Sequence, residues 1–102
     1  MKTLPLRAIK AQYVSAALDG QNVTLFLIQR DGSLFVDIWL NGVIIGASVI
    51  AHNAVALVAR DYAGFSGNLM FFDTQGKDDP LYSGLGSRWQ LVYFTAAEYA
   101  LI

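Results

Sequence analysis

The dipeptide Asn41-Gly42, set between two long apolar segments, most constrains what this chain can fold into. A type I′ turn needs a positive φ angle at both central residues, which Asn tolerates and Gly adopts freely. The flanking segments, 34–40 and 43–50, alternate with the two-residue period of a β-strand. The sequence therefore predicts a tight β-hairpin over residues 34–50.

Both faces of this predicted hairpin carry apolar side chains. In the first segment Phe35 and Trp39 share a face with Asp37. The opposite face of that segment is aliphatic throughout: Leu34, Val36, Ile38 and Leu40. Strict alternation divides the second segment into Val43, Ile45, Ala47 and Val49 on one face and Ile44, Gly46, Ser48 and Ile50 on the other. Such a hairpin is typical of the centre of a sandwich or of a surface buried against other chains.

Turn residues continue the strand pattern on the N-terminal side of the hairpin. Polar and glycine-containing turns at 19–22 and 30–33 delimit predicted strands at 10–18 and 23–29. Because strands that are neighbours in sequence usually pair in space, residues 10–50 are predicted to form a four-stranded meander.

The pattern is weaker after residue 50. It predicts a short extended segment at 1–6, a brief strand within 51–58, a loop at 62–68 and strands at 68–74 and 87–94. Thr95 and Glu98 have the spacing of a capping box, which predicts a short C-terminal helical turn. We therefore predict one all-β domain over residues 1–102, an antiparallel β-sandwich or small β-barrel of about seven strands.

The composition indicates more apolar surface than one domain can hide. Apolar residues make up 55% and charged residues 15% of the chain, against about 45–50% and about 25% in ordinary domains. This surplus predicts a homo-oligomer or a part of a larger assembly. No segment approaches the roughly 18 uninterrupted apolar residues of a membrane helix, and the N-terminus lacks signal-peptide features. We expect a soluble, unprocessed chain with no membrane partner.

Charge and cysteine content exclude further classes. The net charge is −1 and the seven Lys and Arg residues are scattered, so the electrostatic footprint of a nucleic-acid-binding protein is missing. The chain has no cysteine, which excludes disulfides and thiolate metal sites and is consistent with folding in a reducing cytoplasm.

A search for reactive groups yields no catalytic or cofactor motif. His52 is the single histidine, and no G-x-S-x-G segment accompanies it. Gly84-Leu-Gly86 precedes a predicted strand rather than the helix that a phosphate-binding loop requires. Asp73, Asp78 and Asp79 are candidate Ca²⁺ ligands, but their spacing does not match a calcium loop, and a solvated loop is the favoured interpretation. We predict no catalytic, cofactor-binding or metal-binding residue.

Two groups of residues are candidates for contacts with other proteins. The first contains the aromatic residues Phe35, Trp39 and Trp89, because exposed aromatics are favoured anchors at interfaces. The alternative for both tryptophans is a place in the core. The second is the long loop 75–86, since loops of this length in compact domains are usually functional or flexible. Its charged residues are Lys77, Asp78 and Asp79.

Four motifs occur in an order that resembles a known family. They are QYVSAALDGQ at 12–21, DGSLFVDIWLNG at 31–42, GNLMFF at 67–72 and RWQLVYFT at 88–95. Over about residues 1–98 the chain is similar to the small baseplate plug proteins of contractile-tailed phages, first recognised in a cyanophage. It departs from the usual pattern of that family around 51–62.

The resemblance implies a structural component of a phage or prophage-derived tail baseplate. It implies a place at the central hub between tail tube and spike, with protein–protein contacts to hub, spike and tube. It also implies a three-fold or six-fold homo-oligomer in the virion tail, folded in the host cytoplasm before assembly, without enzymatic activity or cofactor.

Two other functions stay open. A free-standing oligomeric β-sandwich module that recognises carbohydrate or peptide would account for the same apolar faces. A small β-barrel enzyme is least favoured, because the chain lacks a recognisable pair of nucleophile and base.

Overall fold

Tight turns with positive φ angles organise the larger of two antiparallel sheets. A computed structural model describes residues 1–18, 20–58, 65 and 67–101. In the turn 31–32 the φ angles are 50° and 80°, and in Asn41-Gly42 they are 50° and 83°. Positive φ at both central residues is the signature of a type I′ turn, whose twist matches that of the flanking strands. The predicted hairpin is confirmed.

Seven strands, a 3₁₀ turn and one short helix are present in the described residues. The strands are β1 (Lys2–Leu4), β2 (Ala11–Leu18), β3 (Gln21–Arg30), β4 (Ser33–Leu40), β5 (Val43–Ile50), β6 (Asn68–Asp73) and β7 (Trp89–Phe94). The 3₁₀ turn is Tyr82–Gly84 and the helix, α1, is Ala96–Tyr99. No helix in these ranges is long and apolar enough to span a membrane.

The strands form two sheets that share one hydrophobic core. The larger sheet has the order β2-β3-β4-β5, which confirms the meander, and the smaller has the order β1-β7-β6. All pairings between named strands are antiparallel. The core cluster takes side chains from both sheets, among them Leu25, Ile38, Leu69, Phe71 and Leu91, each at most 1% exposed. Neither sheet closes on itself among the described residues, so the fold is the sandwich rather than the barrel.

The capping box at the C-terminus is confirmed. The Thr95 hydroxyl accepts from the Glu98 backbone N–H at 3.2 Å, and the Glu98 carboxylate accepts from the Thr95 N–H at 3.0 Å. The same carboxylate contacts the N-terminal ammonium of Met1. Together with the pairing of β1 and β7, this contact joins the two ends of the chain.

The prediction of a brief strand within 51–58 is wrong. The segment runs beside β6 as an irregular edge, in which Ala54 N–H and Leu57 N–H donate to the carbonyls of Phe71 and Leu69. Ala54 has a φ of 57°, which interrupts an extended strand. The predicted loop at 62–68 lies mostly outside the described residues. The last strand begins at Trp89 rather than at residue 87, because residues 86–88 form a turn.

The strict alternation predicted for residues 43–50 is also wrong. The residues of β4 and β5 that lie opposite one another are Val36 and Val49, Ile38 and Gly46, and Trp39 and Ile44. Between the first and second pairs, and again between the second and third, β5 has one residue more than β4. These two β-bulges turn Gly46 towards the core side: a Cβ there would lie 3.3 Å from Ile38 Cδ1. Asp37 supports the bulge between Gly46 and Val49, since its carboxylate accepts from the Ser48 N–H at 2.6 Å.

Gly84 is expected to tolerate no side chain, because the ring of Trp89 packs against its backbone. A Cβ at Gly84 would lie 2.3 Å from Trp89 Cζ3, and overpacking of this kind costs about 1–3 kcal/mol. We expect Gly84→Ala to lower the free energy of unfolding by that amount in urea titrations. Gly76→Ala is the matched control, because the nearest atom to its added Cβ, an Asp73 carboxylate oxygen, is 3.3 Å away rather than 2.3 Å. Equal unfolding midpoints for the two variants would contradict this packing.

Candidate functional site

The side of the larger sheet that faces away from the core carries large apolar side chains. Phe35, Asp37 and Trp39 project from β4 on this side, and the register places Ile50 opposite Phe35 and Ile44 opposite Trp39. The outer face, as we call this surface, consists of Tyr13, Phe26, Ile28, Phe35, Asp37, Trp39, Ile44 and Ile50. Tyr13, Ile44 and Ile50 are 70%, 50% and 41% exposed.

Contacts within the outer face hold several of its aromatic rings in place. The ring centroids of Tyr13 and Phe26, on adjacent strands, are 4.7 Å apart. The guanidinium carbon of Arg30 lies 5.6 Å from the centroid of the Phe35 ring. Cross-strand pairs of this kind reduce the conformational freedom of the side chains, so less entropy is lost when a partner binds them.

Trp39 and Trp89 have different environments. Trp39 is half-buried on the outer face, opposite Thr24 and Ile44. Trp89 is 4% exposed, belongs to the core cluster and donates its indole N–H to the Asp78 carbonyl at 3.0 Å. The structure therefore places Trp39 at the surface and Trp89 in the core. A core position was the alternative that the sequence left open for both tryptophans.

Loop 75–86 is attached to the rest of the chain through a charged network around Arg88. The guanidinium donates to both carboxylate oxygens of Asp73, at 2.8 Å each, and to Asp78 at 2.8 Å. The Asp73 carboxylate has no solvent-accessible area. The hydrogen bonds from Arg88 have the largest effect on the pKa of Asp73, and those from two backbone N–H groups add to it. Together they hold this pKa well below its ordinary value.

A second attachment of this loop uses Asp79. Its carboxylate accepts from the Asn53 N–H at 2.9 Å and contacts His52 Nδ1 at 3.0 Å. Both hydrogen bonds lower the pKa of Asp79, and the one from the Asn53 N–H has the larger effect. Asp78, Asp79 and Lys77 nevertheless stay at the surface. The loop therefore has charged groups at its surface and is attached to the rest of the chain at Asp78 and Asp79.

The three aspartates considered as Ca²⁺ ligands do not surround a common point. Asp73 and Asp78 both bind the guanidinium of Arg88, whereas the Asp79 carboxylate contacts His52. In the part of the chain that the structure describes, no three His or acidic side chains are grouped in a way that suits a metal ion. The sequence did not indicate that Arg88 is the partner of Asp73 and Asp78, because these residues lie 15 and 10 positions away from it in the chain.

Most of the outer face was also missing from the sequence-based candidates, which included Phe35 and Trp39 alone from this surface. The signal was available in the meander: pairing Tyr13 with Phe26, and Ile28 with Phe35, follows from the turn positions. The residues that β5 adds to the outer face could not be predicted from the sequence, since its two bulges change which side chains face outwards.

A small all-β sandwich with an apolar outer sheet face fits the class of structural proteins that work inside an assembly. In a comparison with protein families, residues 1–96 match the family described as "Cyanophage baseplate Pam3 plug gp18". The chain belongs to this family of baseplate plug proteins. A search of curated proteins finds no match.

Membership in this family gives the chain a structural role in a phage baseplate. It places the protein in the virion tail, in contact with other baseplate proteins, and it points to a protein without enzymatic activity. The resemblance seen in the sequence is thus confirmed.

Replacing Asp73 by Asn should change how stability depends on acid pH. The lowered pKa of Asp73 means that its ionised form stabilises the fold fully above the pKa of an unfolded Asp, about 3.9. That stabilisation is lost as the pH falls below this value towards the folded-state pKa. We expect Asp73→Asn to be less stable than the original chain at neutral pH, with the difference narrowing below about pH 4. Urea unfolding at a series of pH values measures this, and a difference that does not vary with pH would contradict the ion pair.

Proposed function

We propose that this protein plugs or bridges the central hub of the baseplate, between tail tube and spike, through contacts made by its outer face. The observation that carries the proposal is the set of large apolar side chains that the outer face collects from four paired strands, with Phe35 and Trp39 on either side of Asp37. Exposed apolar surface of this kind normally marks a site of protein association. The family assignment supports a partner within the baseplate.

The chemistry of the outer face suits tight association rather than catalysis. Large aromatic side chains provide most of the binding energy at protein interfaces, and truncation of one such anchor costs about 2 kcal/mol or more. Asp37 lies among them with its carboxylate engaged by the Ser48 N–H. A partner can therefore cover the face without leaving that carboxylate oxygen unpaired.

We further propose that the chain acts as one domain over residues 1–102 and assembles around the tail axis as a three-fold or six-fold homo-oligomer. It folds in the host cytoplasm before assembly, and nucleic acid is not among its partners. Loop 75–86, with Lys77, Asp78 and Asp79 at its surface, is a second contact region with the hub or spike. Its attachment through Arg88 and Asn53 gives it a defined shape before the partner binds.

Trp39→Ala tests the outer face directly. We expect this variant to fold, and to enter baseplates at least tenfold less when it is co-expressed with the other baseplate proteins. A tenfold decrease corresponds to the loss of about 1.4 kcal/mol or more. Incorporation is quantified by mass spectrometry of purified particles, and folding by thermal unfolding of the isolated chain.

Tyr99→Ala is the matched control, because Tyr99 is an exposed aromatic residue on α1, away from the outer face. It should be incorporated like the original chain. If Trp39→Ala unfolds the chain, Trp39 belongs to the core. If it is incorporated normally, the outer face makes no essential contact.

The isolated protein is expected to form oligomers at micromolar concentration, because charged residues make up only 15% of the chain and the outer face is apolar. Multi-angle light scattering over a range of concentrations measures the mass. A mass near 11.1 kDa that does not change with concentration would exclude self-association.

A further inference from the structure

The edge of the larger sheet at β2 has backbone groups that face away from the sheet. The Gln29 N–H donates to the Lys10 carbonyl at 2.8 Å, in the same register that pairs β2 with β3. Because antiparallel hydrogen bonds involve every second residue, the residues that bond to β3 include Gln12 and Val14. The backbone groups that point away from β3 belong to the intervening residues: Ala11, Tyr13, Ser15 and Ala17. Among the described residues, no strand pairs with this side of β2.

The other sheet edges in the described ranges carry features that hinder strand addition. β5 has two bulges, β1 is three residues long and begins with Lys2, and β6 is covered by the backbone of Ala54 and Leu57. β2 has eight residues in continuous register with β3, and its sequence AQYVSAAL contains no charge and no proline. It is thus the edge best suited to receive another strand.

A groove runs along this edge and would receive the side chains of an added strand. It has a volume of about 560 Å³ and is lined by residues 12–15 of β2 together with Pro5, Leu6, Arg7 and Ile9. The wall opposite β2 is formed by Pro5, Leu6, Arg7 and Ile9. The side chain of Gln12 holds this wall in place, since it donates to the Arg7 carbonyl at 2.7 Å and accepts from the Arg7 N–H at 3.1 Å. The charged side chain on this wall, that of Arg7, is positive and exposed.

We propose that β2 accepts an extended segment of another baseplate protein as an additional strand, with an acidic side chain of that segment facing Arg7. Backbone N–H and C=O groups at two-residue spacing are complementary to another extended backbone, which is the basis of strand addition. The groove selects for side chains on one face of the segment, and Arg7 selects for negative charge. The choice of a baseplate protein as partner rests on the function proposed above.

Hydrogen exchange of the isolated chain and of the chain in purified baseplates tests this inference. We expect the Tyr13 and Ser15 amides to exchange at least tenfold more slowly in the baseplate, since the added strand bonds them. The β5 edge, with its bulges, is the internal reference. Unchanged exchange at β2 would overturn the proposal, and protection that grows with concentration in the isolated chain would assign the edge to a second copy.

A pair of substitutions provides an independent measurement. Ala17→Lys places a charge on the β2 edge, whereas Ala47→Lys places the same charge at an exposed position on the bulged edge of β5. We expect incorporation into baseplates to fall at least tenfold for the first variant and to stay unchanged for the second. Equal effects of the two variants would overturn strand addition at β2. Detection of the original chain in purified baseplates tests the proposed function separately, and its absence there would overturn both.

Discussion

The register of the four-stranded meander is the constraint on which the rest of this structure depends. Side chains alternate between the two faces of a strand, so a slip of one residue would exchange core and surface along the whole strand. The type I′ turn at 31–32 excludes such a slip between β3 and β4, where the register is continuous. The type I′ turn at 41–42 fixes the first pairs of β4 and β5, and the two bulges of β5 shift the register beyond them. The same register that buries Leu25 and Ile38 also assembles the outer face.

The remainder of the chain is held by contacts between residues far apart in sequence. β1 pairs with β7, and Arg88 connects β7 to Asp73 at the end of β6 and to Asp78 in the following loop. The Asn68 side chain donates to the Val58 carbonyl at 2.7 Å and accepts from the Val58 N–H at 3.0 Å. These side-chain hydrogen bonds replace the regular ladder that residues 51–58 lack, and they leave the buried polar groups involved satisfied.

A structural role in a baseplate requires surfaces rather than reactive groups, and the larger sheet presents two surfaces of different chemistry. The outer face has aromatic and aliphatic side chains and suits a partner with a matching apolar surface. The β2 edge has backbone hydrogen-bonding groups beside a groove and suits an extended segment. Tyr13 belongs to both surfaces, so partners bound at the two places would be neighbours.

The sequence by itself determined the features that depend on neighbouring residues. Alternation and turn residues determined the meander, and the spacing of Thr95 and Glu98 determined the capping box, because each interaction spans only a few positions. The motifs in this pattern were also sufficient to identify the family. Alternation defines two faces of a strand, however, and does not state which of them a second sheet will cover.

Only the tertiary structure decided that question, and with it the different places of Trp39 and Trp89. It also decided the two bulges of β5 and the irregular course of residues 51–58, since both depend on bonds to distant groups such as Asp37 and the β6 carbonyls. Arg88 is a further example: its charge is evident in the sequence, but its pairing with Asp73 exists because β6 and β7 are adjacent in the smaller sheet. Long-range packing selects among arrangements that local propensities leave equivalent, which is why these features were not predictable from the residues alone.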